Sequence, residues 1–322
     1  MSTAHKFLTM VEAVALFVAI VGVILFVANR FSGRRGDRAV AAAFLLPTVL
    51  LISVGLVYPG LKTIYQSFFD AAGSSFIGVD NYRTIVTDSD QITVLRNTIL
   101  WVVITPFVAT GVGLLYAILV DKAKREALAK ALIFLPMAIS FVGAGIIWKF
   151  VYAFRPDQPG IKQIGLLNQV LAWLGLAPHQ WLIDSPMNTL FLVVVMIWIQ
   201  AGFAMTVLSA AIKAIPEDIV EAARLDGVKA FGMFRYVTVP TIRPALIVVL
   251  TTIGIGTLKV FDIVRTMTGG QFNTSVVANE FYSQSFRSGN QGLGAALATL
   301  LFVLVVPIVV YNVRQLRSSE GR

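Results

Sequence analysis

The sequence has no cysteine and only two histidines, His5 and His179. A disulfide framework and a thiolate metal site are therefore excluded, and two histidines so far apart make no metal cluster. No Gly-Lys dipeptide occurs, so the chain lacks a G-x-x-x-x-G-K-[ST] phosphate loop and does not bind and hydrolyse ATP by itself. Charge is scarce too: 13% of the 322 residues are charged and 57% are apolar, whereas a soluble domain carries about a quarter charged. Lipid is the solvent this composition suits. The acidic cluster Glu217, Asp218, Glu221 and Asp226 has no histidine near it, which argues against a membrane-surface transferase. A solitary ion-coupled carrier calls for carboxylates in mid-span. Asp262 is the candidate for that role, and it falls near a span end.

What is present is a series of apolar runs. A helix needs about 20 mostly apolar residues to cross the hydrocarbon. Seven runs meet or approach that length: 8–28, 39–59, 94–120, 128–153, 189–212, 245–264 and 293–313. None alternates strictly as a barrel strand does, and backbone groups in lipid must pair within their own segment, so each run is expected to be a helix. The expected fold is an all-α polytopic membrane protein with about seven transmembrane helices. The first run ends in Arg30, Arg34, Arg35 and Arg38, which reads as stop-transfer and not as a removable leader.

Basic residues crowd alternate connections. Lys122, Lys124, Arg125 and Lys130 fill one; Lys213, Arg224, Lys229, Arg235 and Arg243 fill another; Arg314, Arg317 and Arg322 end the chain. The connections 60–93, 154–188 and 265–292 are poorer in Lys and Arg for their length. The positive-inside rule puts the amino terminus outside and the carboxyl terminus in the cytoplasm. Topology and attraction to anionic lipid thus account for the net charge of +9 without nucleic acid. In 154–188 an apolar turn, 166–176, is too short to span and is expected to lie along the outer interface with Trp173 and Trp181. In 265–292, Gly269-Gly270 and Phe281, Tyr282 and Phe286 suit a docking surface or a lid, and an ordinary interfacial loop fits as well.

One polar segment stands out between two apolar runs. Ile215-Pro216-Glu217-Asp218 reads as a helix start, with proline near the first turn and acids facing the positive end of the helix dipole. The spacing predicts a helix over 217–225, in which Ala222 and Ala223 permit close approach of another surface. Asp226-Gly227 reads as a stop, because glycine allows a left-handed backbone. A second helical piece, 229–237, carries Phe231, Phe234 and Val237 at three-residue steps, a stripe that must bury against something. Pro240 and Pro244 bracket entry to the next span. The product is a helix–turn–helix below the membrane, shaped for a groove on a cytoplasmic partner.

Glu221-Ala222-Ala223, Gly227, Val237, Val239 and Pro240 stand at the spacing of the EAA loop. The chain thus resembles the permease subunits of bacterial binding-protein-dependent ABC importers. With Ile215-Pro216 ahead and Asp226-Gly227 inside, it is similar to their carbohydrate-uptake branch, the maltose-permease-like family. The resemblance extends over roughly 40–315 and includes Leu135-Pro136. It implies a six-helix permease core in 39–322, with the EAA loop at 213–244, and an extra amino-terminal helix and basic loop in 1–38. It implies that Glu221, Ala222, Ala223, Asp226 and Gly227 form the contact with a cytoplasmic ATPase. The implied assembly has a second permease subunit, two ATP-binding cassette ATPase subunits and an extracellular solute-binding protein, with no cofactor and no covalent chemistry on this chain. The implied cargo is an oligosaccharide or α-glucoside. A permease for a non-sugar solute is the alternative that the flanking residues disfavour.

A sugar site needs aromatic faces for C–H surfaces and polar groups for hydroxyls, set inside spans where polar groups face a cavity. Trp198, Gln200 and Phe203 in one run, and Thr257, Phe261 and Asp262 in another, supply them. In the maltose-type relatives the helices flanking the EAA loop line the sugar site. Lys259 and Asp262, three apart, are expected to share a helical face and to pair, as a gate or by snorkelling.

Overall fold

The computed structural model describes residues 10–12, 14–16, 18–23, 26, 34–121, 124–156, 158, 160 and 162–320. His5, Arg30, Lys122, Arg322 and both ends of the run 8–28 lie outside the described residues. The chain divides into two compact units, Met1–Tyr65 and Gln66–Arg322.

In the first unit, α1 (Met10–Val23) is a short apolar helix. It is followed by α2 (Arg34–Ile52) and α3 (Tyr58–Gln66). Between α2 and α3, Ser53–Val57 winds as a π-helix in which the Tyr58 N–H donates to the Ser53 carbonyl. Pro59 comes next. A proline cannot donate, and its ring crowds the carbonyl four residues back; the wider turn absorbs that defect without ending the helix. Phe44–Gln66 therefore runs as one apolar helix of 23 residues.

The second unit is helical apart from short connections. It contains α4 (Asp80–Thr87) and the 32-residue α5 (Ser89–Val120), followed by α6 (Glu126–Phe134) and α7 (Phe141–Val151). Next come α8 (Leu166–Trp173), the 27-residue α9 (Met187–Lys213) and α10 (Glu217–Leu225). Helical residues then run from α11 (Ala230–Gly232) through a π-helix, Met233–Thr238, to α12 (Val239–Thr241). The chain closes with α13 (Arg243–Leu258), α14 (Asp262–Met267), α15 (Val277–Phe286) and α16 (Gln291–Glu320). Among the described residues, four helices are long and apolar enough to cross a membrane, and six spans result if each of two bent pairs counts as one.

Those bent pairs revise two expected spans. The run 128–153 is not one helix: α6 gives way to a 3-10 turn, Leu135–Ala138, and α7 departs at 101°. Pro136 removes a donor there, and Ser140 caps the new helix by accepting the Gly143 N–H at 3.0 Å. Likewise 245–264 is interrupted. α13 leaves the preceding helical stretch at 69° and stops at Leu258. Lys259 and Phe261 then have non-helical backbone angles before α14 begins at Asp262. Lys259 and Asp262 therefore straddle a break and do not share a helical face.

α5 against α9 is the spine. A Cβ on Gly113 would lie 2.4 Å from Ala204 Cβ and 2.7 Å from the Met205 nitrogen, so only glycine permits this crossing. Ala109, Met205, Leu208 and Ile253 bury around it. Towards the start of α9, Trp101, Leu192, Met196 and Ile263 form a second buried cluster. The turn 166–176 is a real helix, α8, too short to span, with Trp173 exposed. Asn168, wholly buried, fixes it by donating to the Ala153 and His179 carbonyls and accepting from the His179 N–H and Trp181 Nε1. In the 66–80 connection, hydrogen bonds from the Ser74 and Ser75 N–H groups hold the Asp70 carboxyl below its usual range.

Gly113→Ala should destabilise the protein by about 1–3 kcal/mol through overpacking, whereas Gly111→Ala, in open space, should be silent. Thermal unfolding of the two purified variants in detergent checks this.

Candidate functional site

α9 ends at Lys213, and three residues later α10 begins with Pro216 as its N-cap and Glu217 and Asp218 in its first turn. The helix is nine residues long and none of them is buried. Its end is a Schellman turn. The Val228 N–H donates to the Ala223 carbonyl at 3.1 Å and the Gly227 N–H to Arg224 at 3.0 Å. Gly227 sits at φ +79, in the left-handed region. Local bonds thus set the shape of the elbow that carries Glu221, Ala222, Ala223, Asp226 and Gly227. Glu221, Ala222, Asp226 and Gly227 are exposed and Ala223 is half-buried.

The expected stripe behind the elbow is only partly covered. Phe234 and Val237 are half-buried, but Phe231 is 73% exposed. The π-helix over Met233–Thr238 widens the turn, so residues three apart no longer stack. Leu225, at the tip, is 88% exposed and Tyr236 is 72% exposed. Leu225 and Tyr236 thus leave apolar surface uncovered on the elbow segment that sequence reading passed over; the signal was a leucine directly before Asp226-Gly227.

Sequence reading also missed a charged cluster at the root of the elbow. Lys213 Nζ lies 2.6 Å from Glu126 Oε1 and 3.3 Å from Asp121 Oδ1. Lys130 Nζ lies 2.6 Å from the same Glu126 oxygen and 3.8 Å from the same Asp121 oxygen. Lys130 also donates to Ser209 Oγ, one turn before Lys213. Two ammonium and two carboxylate groups thus join the turn between α5 and α6 to the last turn of α9.

The residues expected to line a pathway fall into separate places. Trp198 packs edge-on against Trp148, with ring centroids 5.6 Å apart. Together with Tyr116, Pro136 and Ile197 it lines a cavity of about 400 Å³. Gln200 faces α13: its Nε2 lies 3.9 Å from where a Cβ on Gly256 would stand. Phe203 is half-buried against the cluster around Met205. Thr257 is wholly buried and its hydroxyl donates to the Ile253 carbonyl at 2.8 Å, a bond within its own helix. Phe261 stacks at a tilt on Tyr282, 5.2 Å between centroids, and Asp262 opens α14, half-buried. The fold therefore brings Gln200 beside the helix that carries Thr257 and sets Trp198 on another side of α9.

At the far end of α5 from Asp121, the 268–276 loop is held by buried side chains. Asn97 Nδ2 donates to the Asn273 and Ser275 carbonyls, Asn188 Nδ2 to Phe272, and Thr98 Oγ1 accepts from the Val277 N–H. Phe272 and Asn273 have φ of 57 and 59, a strained backbone that this set of bonds maintains.

The sequence profile of binding-protein-dependent transport system inner membrane components matches residues 109–318. The chain belongs to that family. As a member it is a membrane transport subunit and not an enzyme. The permease is 46% identical over 277 residues to the osmoprotective compounds uptake permease protein GgtC of Synechocystis sp., covering 86% of this chain and 99% of that one. It is 43% identical over 279 residues to the alpha-glucoside transport system permease protein AglF of Rhizobium meliloti, covering 86% and 82%. Its fold matches a chain of a bacterial ABC transporter involved in the import of the acidic polysaccharide alginate, with TM-score 0.73, 22% identity and 86% and 95% coverage.

Glu221→Lys and Gly227→Asp should each abolish solute uptake while leaving membrane insertion intact. The second variant carries a left-handed penalty of about 1–2 kcal/mol in the Schellman turn. Uptake of labelled solute, with the amount of permease in the membrane fraction as reference, checks both.

Proposed function

We propose that this chain is one permease subunit of an ATP-driven importer for an oligosaccharide or α-glucoside, and that it forms half of the translocation path. The observation that carries the reading is the exposed α10 elbow. It has no buried residue, its end is closed by a glycine at φ +79, and its apolar tip, Leu225, is 88% exposed among the described residues. Such a projection suits a cleft on a cytoplasmic ATPase, with Glu221 and Asp226 meeting donors there and Ala222 and Ala223 allowing close contact.

The partners are a second permease, two ATPase subunits and an extracellular solute-binding protein. The amino terminus lies outside and the carboxyl terminus in the cytoplasm, as the distribution of Lys and Arg supports. The elbow and the 268–276 loop then stand at opposite membrane faces, since α5 runs from the loop to the cluster at Lys213. The loop is a rigid platform for the solute-binding protein. Trp198, Gln200, Phe203, Phe261 and Asp262 line the solute path, with Thr257 packed behind them; the side-chain chemistry supports a polyhydroxylated cargo, and so does the name of the alpha-glucoside relative. The two bent spans, at 101° and 69°, support alternating access by rocking of helices about the site.

Purified importer in nanodiscs, with its solute-binding protein, should hydrolyse ATP faster when maltose, trehalose or sucrose is added. Stimulation by amino acids or phosphate, and by none of the sugars, would remove the sugar assignment.

A further inference from the structure

We infer that Lys213 is a positioning residue that passes movement of the coupling elbow to the broken span α6–α7 through its ion pairs with Glu126 and Asp121. The inference rests on the importer reading and concerns how the stroke enters the bundle. α10 has no buried residue, so force on it can enter only where its flanks are anchored. On the exit side the anchor is apolar, the buried Ile242. On the entry side Ile215 packs against the Met205 cluster, and Lys213 reaches the α5–α6 turn at 2.6 Å and 3.3 Å.

From that turn the covalent route is short. Glu126 is the first residue of α6, which leads through the 3-10 turn into α7 at 101°. α7 in turn sits on α14: a Cβ on Gly145 would lie 3.1 Å from Thr266 Cβ. α14 begins with Asp262, next to Phe261. A contiguous series of contacts therefore links the elbow to two pathway residues, with the ion pairs as its first joint.

The two lysines are not equivalent. Lys130 ties α6 to α9 at Ser209, inside the bundle. Lys213 alone stands at the exit to the elbow, four residues before the first residue of α10. Removing Lys130 should loosen packing, whereas removing Lys213 should disconnect the elbow.

The test uses the assembled importer in nanodiscs and measures ATP hydrolysis with and without solute-loaded binding protein. The readout is the ratio of stimulated to basal rate per assembled complex. Lys213→Met should lower the ratio by roughly fivefold or more, the low end of ordinary coupling factors, with the basal rate kept. Lys213→Arg should restore most of it, because the guanidinium still reaches both carboxylates. Lys130→Met should melt earlier and keep the ratio. The inference is overturned if Lys213→Met keeps the wild-type ratio, since the apolar anchors then carry the stroke. It is equally overturned if basal and stimulated rates fall in proportion, which marks a structural role. A wild-type complex that no loaded binding protein stimulates fails the importer reading itself, a result distinct from both.

Discussion

Backbone N–H and C=O groups have no water to turn to in hydrocarbon, and this constraint bears on the irregular turns within the described spans. Each departure from straight helix is repaired locally. Pro59 is preceded by a π-helix whose wider turn keeps the ladder going. The break after Pro136 is capped by Ser140 and lies against α9, where the Ile133 carbonyl approaches Gly202 closely. Buried asparagines serve the same end outside the helices: Asn97, Asn168 and Asn188 spend their amides on loop carbonyls. The chain bends where it has the means to satisfy the groups that bending exposes.

Close packing then turns these helices into a lever. Since lipid supplies no hydrophobic drive between spans, contact area must come from shape. Gly113 lets α5 and α9 approach until Ala204 and the Met205 backbone touch it. Departures from straight helix lie outside this fitted pair, in α6–α7 and at the α12–α13 bend. The α12–α13 bend follows the elbow in the chain, and the ion pairs of Lys213 tie the elbow's other flank to the start of α6.

Much of this was legible in the sequence, and the reason is range. The limits of α10 follow from Pro216, two acids and Asp226-Gly227, signals that act within one turn, and the helix is found at Glu217–Leu225. The apolar runs are likewise visible because burial in lipid is a property of composition. The break before Phe141 was not, because the apolar run continues through Ile139; the break at Val260 did carry a signal, Lys259 and Asp262, but it was read as the approach to a span end. The Phe231 stripe misled because a π-helix shifts the period. The cluster at Lys213 was read only as topology charge; its partner Glu126 is 87 positions away, and no local pattern reports such a pairing. Pathway residues were chosen by chemistry, which cannot tell Trp198, turned to Trp148, from Gln200, turned to α13.

The Schellman closure of α10 bears on assembly. Its bonds run entirely between residues 222 and 228, so the elbow holds its bend in an unassembled subunit. Docking a part already in its final form forfeits little conformational freedom, and the contact surface can remain small and still be selective. In the proposed assembly, a short, self-shaped plug of this kind would let an engine detach and reseat without the channel having to refold around it.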